Sequence, residues 1–119
     1  MKHLIDQIKN HPDYHKSGMI LSHEGVVRQT SSTGKIVSGL RVQVNKDALH
    51  KIITRYRERP GIVDVLIEII HDIDLKVGDT IMYLVVAGDI RQNVIATLSE
   101  ALDEIKMFVT SKTEYYEQN

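Results

Sequence analysis

Residues 80–87, Thr80-Ile81-Met82-Tyr83-Leu84-Val85-Val86-Ala87, are apolar at successive positions, not at alternate ones. Side chains of a strand point alternately to opposite faces, so such a run has to be covered on both sides. The segment therefore predicts a central strand, and the fold must supply a layer above it and a layer below it. Downstream, Val94, Ile95, Leu98, Ala101, Leu102 and Ile105 recur at helical spacing. They predict one long helix from about Asp89 to Val109, with that stripe turned inward.

The remaining elements follow from shorter patterns. Leu4, Ile5 and Ile8 give residues 3–10 an amphipathic helix, which His11-Pro12-Asp13 stops. Residues 18–28 read as a strand, and Gln29 to Gly34 as a polar loop. In residues 36–44, Leu40, Val42 and Val44 alternate with Arg41 and Gln43, as in an antiparallel strand with one wet face. A helix from Asn45 or Lys46 to about Arg59 buries Leu49, Ile52, Ile53 and Tyr56, and Pro60-Gly61 ends it. Residues 62–70 read as a strand with Val63, Val65, Ile67 and Ile69 on one face. Leu75 to Asp79 read as a turn, and residues 113–119 as a mobile polar tail. The order α-β-β-α-β-β-α does not alternate strictly, so the class is α+β with a mostly antiparallel sheet. One domain over residues 1–119 is expected, with residues 1–17 as an N-terminal helix and linker.

Composition removes several functions. A formal charge of −1 carries no basic excess for nucleic acid. No apolar run approaches the roughly 20 residues of a membrane span. The start Met1-Lys2-His3-Leu4-Ile5-Asp6 lacks the apolar block of a signal peptide, so a cytoplasmic location is expected. With no cysteine, the chain has neither disulfides nor thiolate ligands, and any sulfur chemistry must use sulfur carried by a partner. His11 and His15 have i,i+4 spacing, but Pro12 breaks the helix that would align them, so neither a metal nor a cofactor is expected. His23, on a strand near Arg28, is the one histidine placed for chemistry.

Four cations fall at element ends: Arg28 after Gly25-Val26-Val27, Arg91 after Gly88-Asp89-Ile90, and Lys106 and Lys112 around the end of the last helix. Arginines there can fork onto a phosphate, and a lysine among apolar neighbours can serve proton transfer or amine chemistry. Each also has an ordinary explanation. Asp89 can cap the helix while Arg91 stays solvated, Arg28 can be an exposed strand end, and lysines near a helix C-terminus complement its dipole.

Between Gly18 and Lys112 the chain resembles the large, catalytic subunit of molybdopterin synthase. The resemblance rests on Gly25-Val26-Val27-Arg28 before a loop holding Gly34, Ile70-His71 before Gly78-Asp79, and the apolar strand from Val85 leading to Arg91 and a helix ending near Lys106. It implies an α/β-hammerhead-like fold and a homodimer. It also implies a ubiquitin-like small subunit whose C-terminal Gly-Gly thiocarboxylate passes sulfur to cyclic pyranopterin monophosphate, the two subunits forming a heterotetramer. Carried over by position, Lys106 is the central catalytic lysine, Lys112 assists it, and Arg28 and Arg91 bind the substrate. Ile90 stands where the family usually has histidine, Phe108 to Lys112 lacks the family's proline and tryptophan, and the family's acidic and tyrosine positions on the second strand are replaced by Arg41-Val42-Gln43-Val44-Asn45. The alternative is a non-catalytic dimeric protein of the same fold that binds the small subunit or a pterin.

Overall fold

A computed structural model describes residues 1–117. The elements are α1 (Lys2–Lys9), β1 (Met19–Val26), β2 (Val37–Val44), α2 (Lys46–Arg57), β3 (Ile62–Ile69), β4 (Asp74–Lys76), β5 (Thr80–Gly88), α3 (Arg91–Glu104) and β6 (Thr110–Tyr116). A short 3-10 turn, Tyr14–Lys16, follows α1, and one π-helical turn, Ile105–Val109, joins α3 to β6. No helix among the described residues is long and apolar enough to cross a membrane.

The class is α+β with antiparallel pairing, as expected. The strand that had to be central is central: the first sheet runs β1-β5-β3. Residues 84–87 of β5 are fully buried. Met82, Leu84 and Val86 face α2 and α3, in a cluster with Ile52, Ile53, Tyr56, Val94, Ala101 and Ile105. Val85 and Ala87 face the other way, onto Leu4 and Ile8 of α1. Each fully buried Val or Leu contributes about 1.5–3 kcal/mol relative to exposure. A second sheet runs β4-β2-β6. Val27, Leu40, Val42 and Leu75 join it to the first through Ile69, Ile70 and Ile81.

Several expectations need correction. Residues 110–116 are strand β6, paired along β2 from Val44↔Thr110 to Val37↔Tyr116, so most of the supposed tail is ordered sheet. The strand is polar because it lies at a sheet edge, and its threonines and tyrosines favour extended backbone. The Tyr115 hydroxyl donates to Asp74 Oδ1 at 2.9 Å, and Lys35 Nζ lies 5.2 Å from the Tyr116 ring centre. The end of the supposed tail, residues 118–119, lies outside the described residues. The first two residues of the supposed turn Leu75 to Asp79 belong to strand β4, with Leu75 opposite Leu40. The long helix stops at Glu104, and its last turn widens into the π turn. Along α3, Thr97 is buried and Ile95 is exposed, since about 100° per residue carries position 95 off the Val94-Ala101-Ile105 line. A register shift between Ile62 and Asp64 sends Val63 to the α1 side, while Val65, Ile67 and Ile69 face the helices.

Polar ties lock α2 to α3. Tyr56 and Arg55 both donate to the Glu104 carboxylate, and Arg59 Nη1 bonds Glu100 Oε2 at 2.6 Å. The Tyr56 hydrogen bond, with Arg55 beside it, holds the Glu104 carboxyl below its ordinary value of 4.5. A lowered carboxylate stabilises the fold above the unfolded value and loses that contribution as pH falls through the folded one. The Glu104→Gln variant should therefore be less stable than wild type at neutral pH, with the difference shrinking at about pH 3. Urea midpoints at the two pH values check this, and a gap independent of pH contradicts it.

Candidate functional site

Three of the four cations at element ends meet in a cleft between the two sheets. Beyond β1, Val27 is buried and its amide donates to the Asp79 carbonyl at 2.9 Å, so the next residue, Arg28, is turned outward. Arg28 Nε donates to the Thr30 carbonyl at 2.6 Å, which fixes the side chain against its own loop. That loop is folded: Ser31 is buried, and its Oγ accepts the Lys35 amide at 3.1 Å.

The π turn presents Lys106. Ile105 and Val109 anchor the turn in the core, leaving Lys106, Met107 and Phe108 exposed between them. Strand β6 then presents Lys112 and Glu114. Their partners across β2 are Val42 and Leu40, so all four side chains share one face. Lys112 Nζ lies 3.8 Å from Glu114 Oε1, a long contact between an exposed lysine and a largely covered carboxylate.

The cleft has a volume of about 630 Å³, and its lining includes Arg28, Lys106, Lys112, His23, Glu24 and Glu114. Its floor is apolar, with Leu40, Val42, Ile81 and Met82. Glu24 is engaged by the Thr80 hydroxyl at 2.7 Å. Three cations therefore share the cleft with two carboxylates, one engaged by Thr80 and the other by Lys112. Burial first, and then the Lys106 charge, push the His23 imidazole below its ordinary value of 6.5, so it is neutral at pH 7.

Three of the four cations singled out by sequence are thus brought together. The fourth, Arg91, is the exposed first residue of α3 and does not line the cleft. Its helix start is occupied locally: Asp89 Oδ1 accepts from the Ile90 amide at 2.7 Å and from Asn93 Nδ2 at 2.9 Å. Sequence reasoning missed Glu114, Thr110 and Ser31. Reading residues 110–116 as a strand would have found the first two, because positions 110, 112 and 114 share a face.

The family model described as MoaE protein matches residues 1–108. No curated protein matches the chain. Among solved structures, the fold is similar to molybdopterin cofactor biosynthesis protein E from Burkholderia multivorans ATCC 17616, at TM-score 0.76 and 23% identity, over 98% of this chain and 80% of that one. Molybdopterin synthase from Staphylococcus aureus superimposes at TM-score 0.73 and 21% identity, over 87% of this chain and 78% of that one. A complex of subunits 1 and 2 of molybdopterin-converting factor from Helicobacter pylori 26695 gives TM-score 0.70 and 16% identity, over 99% and 84%.

The geometry predicts where an anion binds. Titrating inorganic phosphate should shift the amide resonances of residues 28–31 and 110–114 and leave residues 89–93 unmoved. The Arg28→Ala, Lys112→Ala double variant should lose the response. Shifts centred on Arg91 instead would contradict the cleft.

Proposed function

The chain belongs to the MoaE protein family, whose place is molybdenum cofactor biosynthesis, and from that premise we propose that its cleft transfers sulfur from a partner's C-terminal thiocarboxylate to cyclic pyranopterin monophosphate, forming molybdopterin. The observation that carries this reading is the convergence of Arg28, Lys106 and Lys112 on one cleft. The partner is a ubiquitin-like sulfur carrier ending in Gly-Gly. An extended tail of that kind has no side chains at its end and can pass between the β1 end and β6. Arg28 binds the substrate phosphate, Lys106 lies at the reacting sulfur, and Lys112 assists it. A chain with no cysteine suits this division of labour, because the carrier supplies the sulfur.

Arg91 enters the same chemistry from a second copy. Fifteen positions separate it from Lys106, which is roughly 22 Å along a helix, too far for one pterin-sized ligand to bridge. The exposed apolar side chains support a pairing of these two ends. Ile90 and Ile95 flank Arg91, and Met107 and Phe108 follow Lys106. In a two-fold homodimer each patch covers the other, and each cleft gains the partner's arginine. With one carrier per cleft the assembly is a heterotetramer.

One observation favours a second reading: Ile90 stands at the position where the resemblance leads one to expect histidine. In that reading the protein binds the carrier or a pterin without turning it over.

The test is sulfur transfer from a thiocarboxylated Gly-Gly carrier to cyclic pyranopterin monophosphate. Wild type should form molybdopterin, and Lys106→Ala should abolish it with an unchanged unfolding midpoint, since an exposed lysine contributes well under about 1 kcal/mol to stability. Carrier binding with no product from wild type selects the second reading. Mixing Arg91→Ala with Lys106→Ala chains should restore about one working cleft per mixed dimer. No recovery, or a monomer at working concentration, contradicts the shared cleft.

A further inference from the structure

His23 lies on β1 with its ring in the cleft, half-buried and on the same face of the sheet as Met82 and Leu84. Its Nε2 edge lies toward Gly25: a methyl group added at Gly25 would come 3.7 Å from Nε2 and 3.3 Å from Met82 Cγ. The glycine thus leaves that nitrogen uncovered. Among the described residues, no side chain is hydrogen-bonded to the His23 ring, in contrast to His3, His11 and His71, which have partners. The charged groups around it are Glu24 from β1, Arg28 just beyond β1, Lys106 from the π turn, and Lys112 and Glu114 from β6. None of the charged residues of α3 lines the cleft. An unpartnered ring nitrogen, held beside an ammonium in an apolar-floored cleft, is placed to take a proton.

The chemistry of sulfur transfer requires such an acceptor. When sulfur leaves a thiocarboxylate for another molecule, an oxygen must replace it on the carrier's carbonyl carbon, and water is the source. Once sulfur has bonded to its acceptor carbon, displacing an oxygen substituent that leaves from that carbon with a proton, it remains tied to the carrier as a thioester. Water must then attack the thioester carbonyl. A C–O bond forms, the C–S bond breaks, the electron pair leaves with sulfur as thiolate, and the attacking water sheds a proton.

We propose that His23 is the base that takes this proton, so that the imidazole drives hydrolytic release of the carrier while the Lys106 ammonium balances the thiolate. The proposal rests on the sulfur-transfer reading above. It concerns a different step from anion binding, and it gives β1 a role beyond placing Arg28. Burial and the Lys106 charge keep the ring neutral at pH 7 and ready to accept. Protonation removes the acceptor only as pH falls through that lowered value, so the acid limb of the rate profile should lie below 6.5.

Full-length wild type, His23→Gln and Lys106→Met would be compared, with circular dichroism confirming the fold of each. The assay uses a thiocarboxylated Gly-Gly carrier and cyclic pyranopterin monophosphate, with intact-mass detection of the thioester and rates measured across pH. The expected result for His23→Gln is a roughly 100-fold slower release of carrier, a thioester that accumulates, and loss of the acid limb. In Lys106→Met, the His23 ring followed by NMR should titrate closer to 6.5. A merely structural histidine would lower all steps together and leave the shape of the profile intact. Wild-type turnover with no thioester build-up and an unchanged acid limb in His23→Gln overturns the assignment alone. No turnover by wild type overturns the sulfur-transfer reading, and the assignment with it.

Discussion

The double-sided burial of β5 governs the rest of this structure. A strand whose residues 84–87 are wholly hidden cannot form until both of its faces are covered, by α1 on one side and by α2 and α3 on the other. Because β5 pairs with both β1 and β3, covering it also fixes those strands in register. His23 faces the helices because it stands opposite Leu84, and Gly25 because it stands opposite Met82. The cleft floor is therefore set by the same apolar pattern that makes β5 central. A one-residue slip in the β1 register would turn His23 to the other face.

The cleft depends equally on how α3 ends. A regular helix continued through Val109 would turn residues 105–109 by about 100° each. In the π turn Ile105 and Val109, four positions apart, are both buried, and the residues between them face outward. The chain then enters β6 directly at Thr110, and the Asn45 amide donates to the Val109 carbonyl at 2.8 Å, which ties the exit to the start of α2. Lys106 and Lys112 come from different kinds of backbone. They reach one cleft because Val109 is fixed between them.

Much of this was legible in the sequence. The α+β class, the central strand, the helical stripe through Val94 and Ala101, and the placing of Arg28 and Lys106 at element ends all follow from periodicity and punctuation. Strand β6 was not legible, because edge strands need no apolar alternation and Thr110 to Tyr116 reads as solvated. Its identity is decided by pairing with β2, a contact between residues far apart in sequence. The π turn is invisible for a related reason: residues 105–109 carry an ordinary helical pattern. Ile95 and Thr97 exchange their expected burial because a stripe defines a direction to within a residue, and packing against β5 selects which residue lies on it. Arg91 shows the limit of reading element ends: two ends can both be cationic and still lie at opposite termini of one helix.

The charge of the cleft is local and loosely held. The whole chain carries −1, yet Arg28, Lys106 and Lys112 outnumber the carboxylates that share their walls. Lys112 is exposed and its contact with the largely covered Glu114 carboxylate is long, so the pair holds the lysine weakly. Arg28 is different, because its Nε is committed to the Thr30 carbonyl and its orientation is settled before any ligand arrives. Arg28 is thus held in one orientation, while Lys112 has only a long ion-pair contact at 3.8 Å. The elements beneath them, Val27 and the β2–β6 ladder, carry the stability. The cleft's charged side chains thus add little to folding.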